Sequence, residues 1–171
     1  MKIMPSKKAI SADNQQERLK MKGWITGYVD GEGCFSVSLF RNKTTKFGWQ
    51  VFPEFVVTQG EKSKKSLEIL INFFKCGKIF LNKRYDNHNE NLYRYCVRSK
   101  KDLTEIIIPF FKLNQLKTAK NEDFKIFAKI VDMMNENKHS KLSGIRKIAK
   151  MIERMNRKKS SIFLESSETK C

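Results

Sequence analysis

The sequence predicts an α+β fold: a four-stranded antiparallel sheet with helices on one face. Three observations carry that expectation. Segments 34–41 with 49–58, and 78–84 with 92–98, alternate apolar and polar residues and read as two hairpins. Stretches with apolar residues at helical spacing precede, separate and follow them. The order is therefore helix, hairpin, helix, hairpin, helices, which clusters the strands and selects α+β. The 171 residues fit one domain over 16–157, with a flexible basic arm at 1–15 and a flexible tail at 158–171.

Helix 1 runs from about Asn14 or Gln15 to Val29. Gly23, Gly27 and Gly31 recur every four residues and so share one helix face. Each costs about 1 kcal/mol of helix stability relative to alanine. Close backbone contact with another helix is the expected return. In the first strand, Phe35, Val37 and Leu39 point to the core, and Ser36, Ser38 and Phe40 point away. A polar, basic turn spans 42–48. In the second strand Trp49, Val51, Pro53, Phe55 and Val57 share one face, and Gln50, Phe52, Glu54 and Val56 the other. Pro53 lacks an N–H and suggests an edge or bulged position.

A second helix spans about Glu61 to Lys75, with Leu67, Leu70, Ile71 and Phe74 at helical spacing, and Gly77 ends it. In the second hairpin Ile79, Leu81, Tyr93, Tyr95 and Val97 face the core. Lys78, Phe80, Asn82, Arg84, Arg94, Cys96 and Arg98 face away. Helices follow at about 101–110, at 117–134 with Phe124, Phe127, Ile130 and Val131 inside, and at 144–155 with Ser143 as N-cap.

Composition names a class of partner. Thirty-five Lys+Arg against 18 Asp+Glu give a formal charge of +17, which suits a polyanion. Lysines outnumber arginines, which favours phosphate neutralisation over bidentate base reading. No apolar run approaches the roughly 20 residues of a membrane span, and residues 1–22 lack a secretory apolar core. No membrane partner is expected. Cys34, Cys76, Cys96 and Cys171 are scattered without zinc-finger spacing. They read as free thiols in an intracellular, reducing compartment, an organelle or a bacterial cytoplasm. His88 lies in Asp86-Asn-His-Asn-Glu90, superficially like a His-Asn-His nuclease, but the motif's second histidine is missing. A polar hairpin turn explains the stretch better.

The chemistry concentrates at the end of helix 1. Asp30 and Glu32 sit where the helix already carries partial negative charge, so acids there are disfavoured unless a cation is bound. The segment Ile25-Thr-Gly-Tyr-Val-Asp-Gly-Glu-Gly33 resembles the signature of the LAGLIDADG homing endonucleases: Gly27, Asp30, Glu32 and Gly33 fall in order, with apolar residues at 25, 28 and 29. The resemblance extends over about 18–157, closing with Gly144 to Asn156. It implies an intron-encoded, site-specific double-strand DNA endonuclease. Such an enzyme hydrolyses a long near-palindromic target with Mg²⁺ and leaves staggered ends; Mn²⁺ or Ca²⁺ can substitute in binding. One motif copy implies a homodimer with motif helices side by side, Gly23, Gly27 and Gly31 at the interface and the two Glu32 side chains near the two-fold axis.

The resemblance also implies roles. Glu32 is the metal ligand, helped by the Gly31 carbonyl; many members have Asp there. Asp30 is a supporting acid. Gln59, in Val57-Thr-Gln59, matches a glutamine that organises water. A basic residue common in relatives shortly after it is replaced by Ser63, flanked by Lys62 and Lys64, a departure from the pattern. A second family lysine corresponds to Lys117 or Lys120.

The polar sheet face is the expected reader of a major groove: Ser36, Ser38, Gln50, Glu54, Lys78, Asn82, Arg84, Arg94 and Arg98. Arg41, Lys43 and Lys46 reach flanking groove or backbone. Two other functions suit the same basic surface: an RNA-binding maturase acting on its intron RNA, and a non-cleaving DNA-binding regulator. Retention of Glu32 weighs against both, because a protein that only binds needs no acid in an anionic groove.

Overall fold

The computed structural model describes residues 7–83 and 90–155. Helix α1 (Lys7–Glu32) passes directly into β1 (Gly33–Arg41). Then come β2 (Trp49–Gly60), a 3₁₀ turn (Glu61–Ser63), α2 (Lys64–Phe74), β3 (Lys78–Asn82) and β4 (Leu92–Val97). A continuous helical rod over 100–113 consists of α3 (Lys100–Asp102), a π segment (Leu103–Ile107) and α4 (Ile108–Leu113). Helices α5 (Lys120–Asn135) and α6 (Leu142–Met155) complete the described chain. The sheet is antiparallel throughout, in the order β1-β2-β4-β3. The expected α+β architecture is therefore present.

Strand parity holds across β1, β2 and β4 on the core side and is lost toward the end of β3. Phe35, Val37, Phe55, Val57, Tyr95 and Val97 are buried under the helices. Phe35 centres an aromatic cluster, 5.0 Å from Phe55, 5.3 Å from Phe111 and 5.1 Å from Phe124 between ring centroids. Such pairs add about 0.5–1.5 kcal/mol each beyond their buried area. From α1, Ile25 and Val29 enter this core at 0% exposure. Leu81, expected inside, is 45% exposed, at the end of β3, an edge strand with a neighbour on one side only.

Several boundaries differ from the sequence expectation. Helix α1 begins at Lys7, so the polar residues before Asn14 are helical despite lacking an apolar period. Pro53 sits in a central strand without a bulge. It is tolerated because the β2–β4 ladder ends at Phe55↔Val97, leaving β2 with only β1 beside it at Pro53. Helix α2 ends at Phe74 with Lys75 as its left-handed C-cap (φ 54°), and Gly77 instead makes the entry to β3 at φ 80°. A Cβ at Gly77 would lie 2.7 Å from Tyr95 Cε2 and 2.9 Å from the Cys96 carbonyl. The π segment precedes Pro109, which cannot donate to the Glu105 carbonyl and would clash with it; a widened turn relieves both. Helix α6 starts at Leu142, and the Ile145 N–H donates to the Lys141 carbonyl at 3.0 Å, so Lys141 and not Ser143 holds the cap position.

Among the described residues Cys34, Cys76 and Cys96 are free thiols, and no helix is long and apolar enough to cross a membrane.

Candidate metal site and nucleic-acid interface

The α1–β1 junction has no loop, and Gly33 is the reason it closes. A Cβ there would lie 2.6 Å from Val29 Cγ1 and 2.8 Å from the Val29 carbonyl. The junction leaves Glu32 exposed at the last position of α1. Ile25 and Val29 turn the opposite side of α1 into the core. Gly23, Gly27 and Gly31 therefore face outward, and a Cβ at any of them would meet nothing within 4 Å. Leu19 and Trp24, on the same side, are 58% and 41% exposed. The glycine face is thus bare in a single subunit.

Lys120 converges on the acidic end of α1. Its Nζ donates to the Val29 carbonyl at 3.0 Å and to the Gly31 carbonyl at 3.1 Å. These are the C-terminal acceptors that a helix leaves unpaired, and they attract cations. Burial pulls the Lys120 pKa below the ordinary lysine value, against the opposing pull of Asp30, Cys34 and Glu32. The Gly31 carbonyl, expected to assist a metal, thus faces an ammonium group.

Asp30 holds the turn that carries Lys120. Its carboxylate accepts the Lys117 N–H at 2.7 Å, the Thr118 N–H at 3.2 Å and the Thr118 hydroxyl at 2.6 Å. Partial desolvation pushes the Asp30 pKa up. The Thr118 hydroxyl, the two N–H groups and Lys120 outweigh it and hold the carboxyl below the ordinary value. The two candidate lysines are now distinct: Lys117 supplies a backbone N–H to Asp30, while Lys120 brings its ammonium to the helix end.

Gln59, on the helix side of the β2 terminus, lies near enough to the Tyr28 phenol to lower its pKa slightly, and that phenol lies 2.5 Å from Ser66 Oγ. Burial raises the Tyr28 pKa; Ser66 opposes this and the negative charge of Glu32 adds to it. Tyr28, Ser66 and Thr118 were not expected at the site. Tyr28 could have been found, since it lies one helical turn before Glu32 on the same face. Ser66 and Thr118 carry no comparable sequence signal. Lys62 gives its backbone N–H to Glu90 at 2.9 Å, and Lys64 lies 5.0 Å above the Tyr93 ring. Among the described residues no three His, Cys, Asp or Glu side chains converge.

The open sheet face carries the expected polar set. Ser38, Lys78, Asn82 and Arg98 are exposed, and Ser36, Gln50 and Arg94 are half-buried. Arg84 lies outside the described residues. Glu54 differs from the others: it is buried and forms ion pairs with Arg94, at 3.4 Å, and with Arg98. Gln50 accepts from Asn42 Nδ2 at 2.5 Å, tying the strand to its turn. In that turn Lys43 and Lys46 are exposed, and Arg41 lies 4.7 Å over the Trp49 ring. The face is not uniformly polar: Val56 and Cys96 are buried at its centre.

The sequence profile described as LAGLIDADG endonuclease matches residues 25–131. A probable intron-encoded endonuclease of Neurospora crassa is 36% identical over 124 residues, 72% of this chain and 26% of that protein. The DNA endonuclease I-CeuI of Chlamydomonas moewusii is 26% identical over 143 residues, 82% of this chain and 64% of that protein. The chain spans 26%, 40% and 23% of the length of three curated relatives it matches. Among solved structures, the homing endonuclease I-TnaI superposes with a TM-score of 0.75 at 36% identity, covering 86% of this chain and 96% of that one. I-SmaMI bound to an uncleaved DNA target with calcium ions gives 0.77 at 32% identity, covering 88% and 49%.

Proposed function

Because the chain belongs to the LAGLIDADG endonuclease family, we propose that it is a site-specific, divalent-metal-dependent endonuclease that cuts both strands of a long near-palindromic DNA target as a homodimer. The observation that carries this reading is the meeting of Glu32, Lys120 and the α1 carbonyls at one edge of an open, basic sheet. The neighbour bound to DNA with calcium ions supports a duplex partner and a divalent cation.

The residues fit a hard cation. The donors at the α1 terminus are all oxygen: the Glu32 carboxylate and helix carbonyls that already accept a positive charge from Lys120. One carboxylate per chain is few, and a second copy docked on the glycine face supplies another. Glu32 of each copy would hold Mg²⁺, which supplies an activated water and neutralises charge on the phosphate.

The chain's own groups do the rest. Lys120 places a positive charge where the scissile phosphate gains charge, and Asp30 keeps it there through the 117–118 turn. Gln59, oriented by Tyr28, positions the attacking water. Exposed lysines neutralise phosphates along the groove, so binding weakens steeply with salt.

The test is incubation of the protein with a library of near-palindromic duplexes, with Mg²⁺ or with EDTA, followed by sequencing of the ends. Discrete, Mg²⁺-dependent, staggered cuts are expected, and they should vanish in Glu32→Gln. Binding without cutting, across a library that contains the bound site, would sink the nuclease reading in favour of a regulator or an RNA-binding maturase.

A further inference from the structure

Glu54 is an acid at the centre of a face that must meet a polyanion. Both of its oxygens are engaged: Arg94 Nη2 donates to Oε2 at 3.4 Å, and Arg98 Nε donates to Oε1. Its side chain is 12% exposed, against 36% for Arg94 and 43% for Arg98. The carboxylate is therefore covered by the two guanidinium groups, which remain open to the outside. Arg98 is also held between two rings, 5.7 Å from the Phe52 centroid and 5.1 Å from that of Phe80. Phe52 in turn contacts Phe40 at 5.9 Å. The two arginines offset the cost of burying the Glu54 carboxylate, an arrangement that apolar residues could replace without loss of stability.

We infer that Glu54 is a positioning residue for base recognition, fixing Arg98 to read a guanine in the major groove. This rests on the open sheet face being the DNA-binding surface. Guanidinium has five N–H donors, and Arg98 commits only its Nε to Glu54. Among the described residues neither terminal nitrogen has a hydrogen-bond partner, which leaves both for the end-on, bidentate contact with guanine O6 and N7. Phe52 and Phe80 fix the plane of the group, and Glu54 fixes its rotation. A preset arginine gives up less side-chain entropy on binding than a free one. Arg94 has a terminal nitrogen engaged by Glu54 and no ring holding its plane among the described residues, so its end-on face is less preset than that of Arg98.

The experiment selects bound sequences from a fully randomised duplex library in Ca²⁺ with the wild type, Arg98→Ala, Glu54→Gln and Phe80→Leu. Arg98→Ala should flatten a guanine preference at one base pair per half-site by about 5- to 150-fold, the worth of one bidentate base contact. Glu54→Gln should weaken preference at that same base pair by about 2- to 10-fold, the ordering cost of one long side chain. Phe80→Leu, at an exposed ring outside the core, should act in the same direction and place. Other positions should keep their preferences, an outcome that a merely structural role for Glu54 would not give. A Glu54→Gln profile equal to the wild type, or flattened equally at every position, would overturn the inference. So would Arg98 and Glu54 affecting different base pairs. Failure of the wild type to retain any duplex would sink the DNA-binding reading and the inference with it; retention without an Arg98-dependent guanine would sink the inference alone.

Discussion

Gly27 offers a perturbation with opposite effects on the subunit and on its assembly. In a single subunit a Cβ at Gly27 meets nothing within 4 Å, so Gly27→Leu introduces no clash at that atom. Replacing a helix-interior glycine with leucine gains about 0.8 kcal/mol of helix stability. For a subunit of this size that is a rise in melting temperature of about 2–3 °C. In the proposed dimer the same leucine enters a close helix–helix contact twice, once from each copy. Overpacking costs about 1–3 kcal/mol per site, so two sites cost at least about 2 kcal/mol. Dimerisation should weaken at least about 30-fold, and cleavage, which in the proposed dimer draws on a Glu32 from each copy, should fall with it. Sedimentation velocity over a dilution series reads the assembly, and urea unfolding followed by circular dichroism reads the subunit. The variant should be folded, with an unfolding midpoint independent of protein concentration. A dimer of undiminished affinity, or a variant that unfolds more easily than a wild-type subunit diluted to monomer, would refute the reasoning.

Three further outcomes follow from the junction and its clamp. Asp30→Asn should cut the cleavage rate about 10- to 100-fold with little change in DNA affinity, as expected when a catalytic group is misplaced; gel-shift and single-turnover assays separate the two. Because the folded Asp30 pKa is depressed, its stabilisation is fully present above the ordinary value of 3.8 and is lost as pH falls below that toward the folded value. Acid titration of Asp30→Asn should therefore lack that component. Lys120→Met should lower the cleavage rate about 10²- to 10⁴-fold; the wild-type rate should fall on an alkaline limb that sets in below the ordinary lysine value of 10.5, because burial lowers the Lys120 pKa, and the variant should lack that limb. Gly33→Ala should destabilise the fold by about 1–3 kcal/mol, read by urea unfolding, since its Cβ would overlap Val29.

The parts of the fold that obey a period were readable from the sequence. Alternation placed Phe35, Val37, Phe55 and Tyr95 inside and Ser38, Lys78 and Arg98 outside, because a strand's side-chain direction is fixed by its pleat. Helix ends were less readable. Ser143 has the chemistry of a cap, yet the chain enters α6 one residue before it, where Leu142 continues from the turn held by Lys138, Ser140 and Lys141. The widened turn before Pro109 depends on a carbonyl four residues earlier and leaves no periodic trace. In the site, Glu32 was legible from its motif. The difference between Lys117 and Lys120 was not, because it depends on Asp30 across 87 residues of sequence. Glu54 was placed on the correct face but among the groups that contact bases; its pairing with Arg94 and Arg98 arises from a cross-strand register that spacing alone does not give.

The seamless passage from α1 into β1 makes the first strand a measuring rule whose zero mark is Glu32. With no loop between them, each residue of β1 advances about 3.4 Å from the carboxylate. Duplex DNA advances by about 3.4 Å per base pair. If the proposed complex places the strand along the groove and cuts at Glu32, Ser36 and Ser38 stand about four and six base-pair steps from that point. Substitutions on the strand change which letter is read at a given mark. Inserting a single residue between Gly33 and Ser36 would turn the later side chains of β1 to the opposite face, whereas inserting two would keep the face and shift the scale.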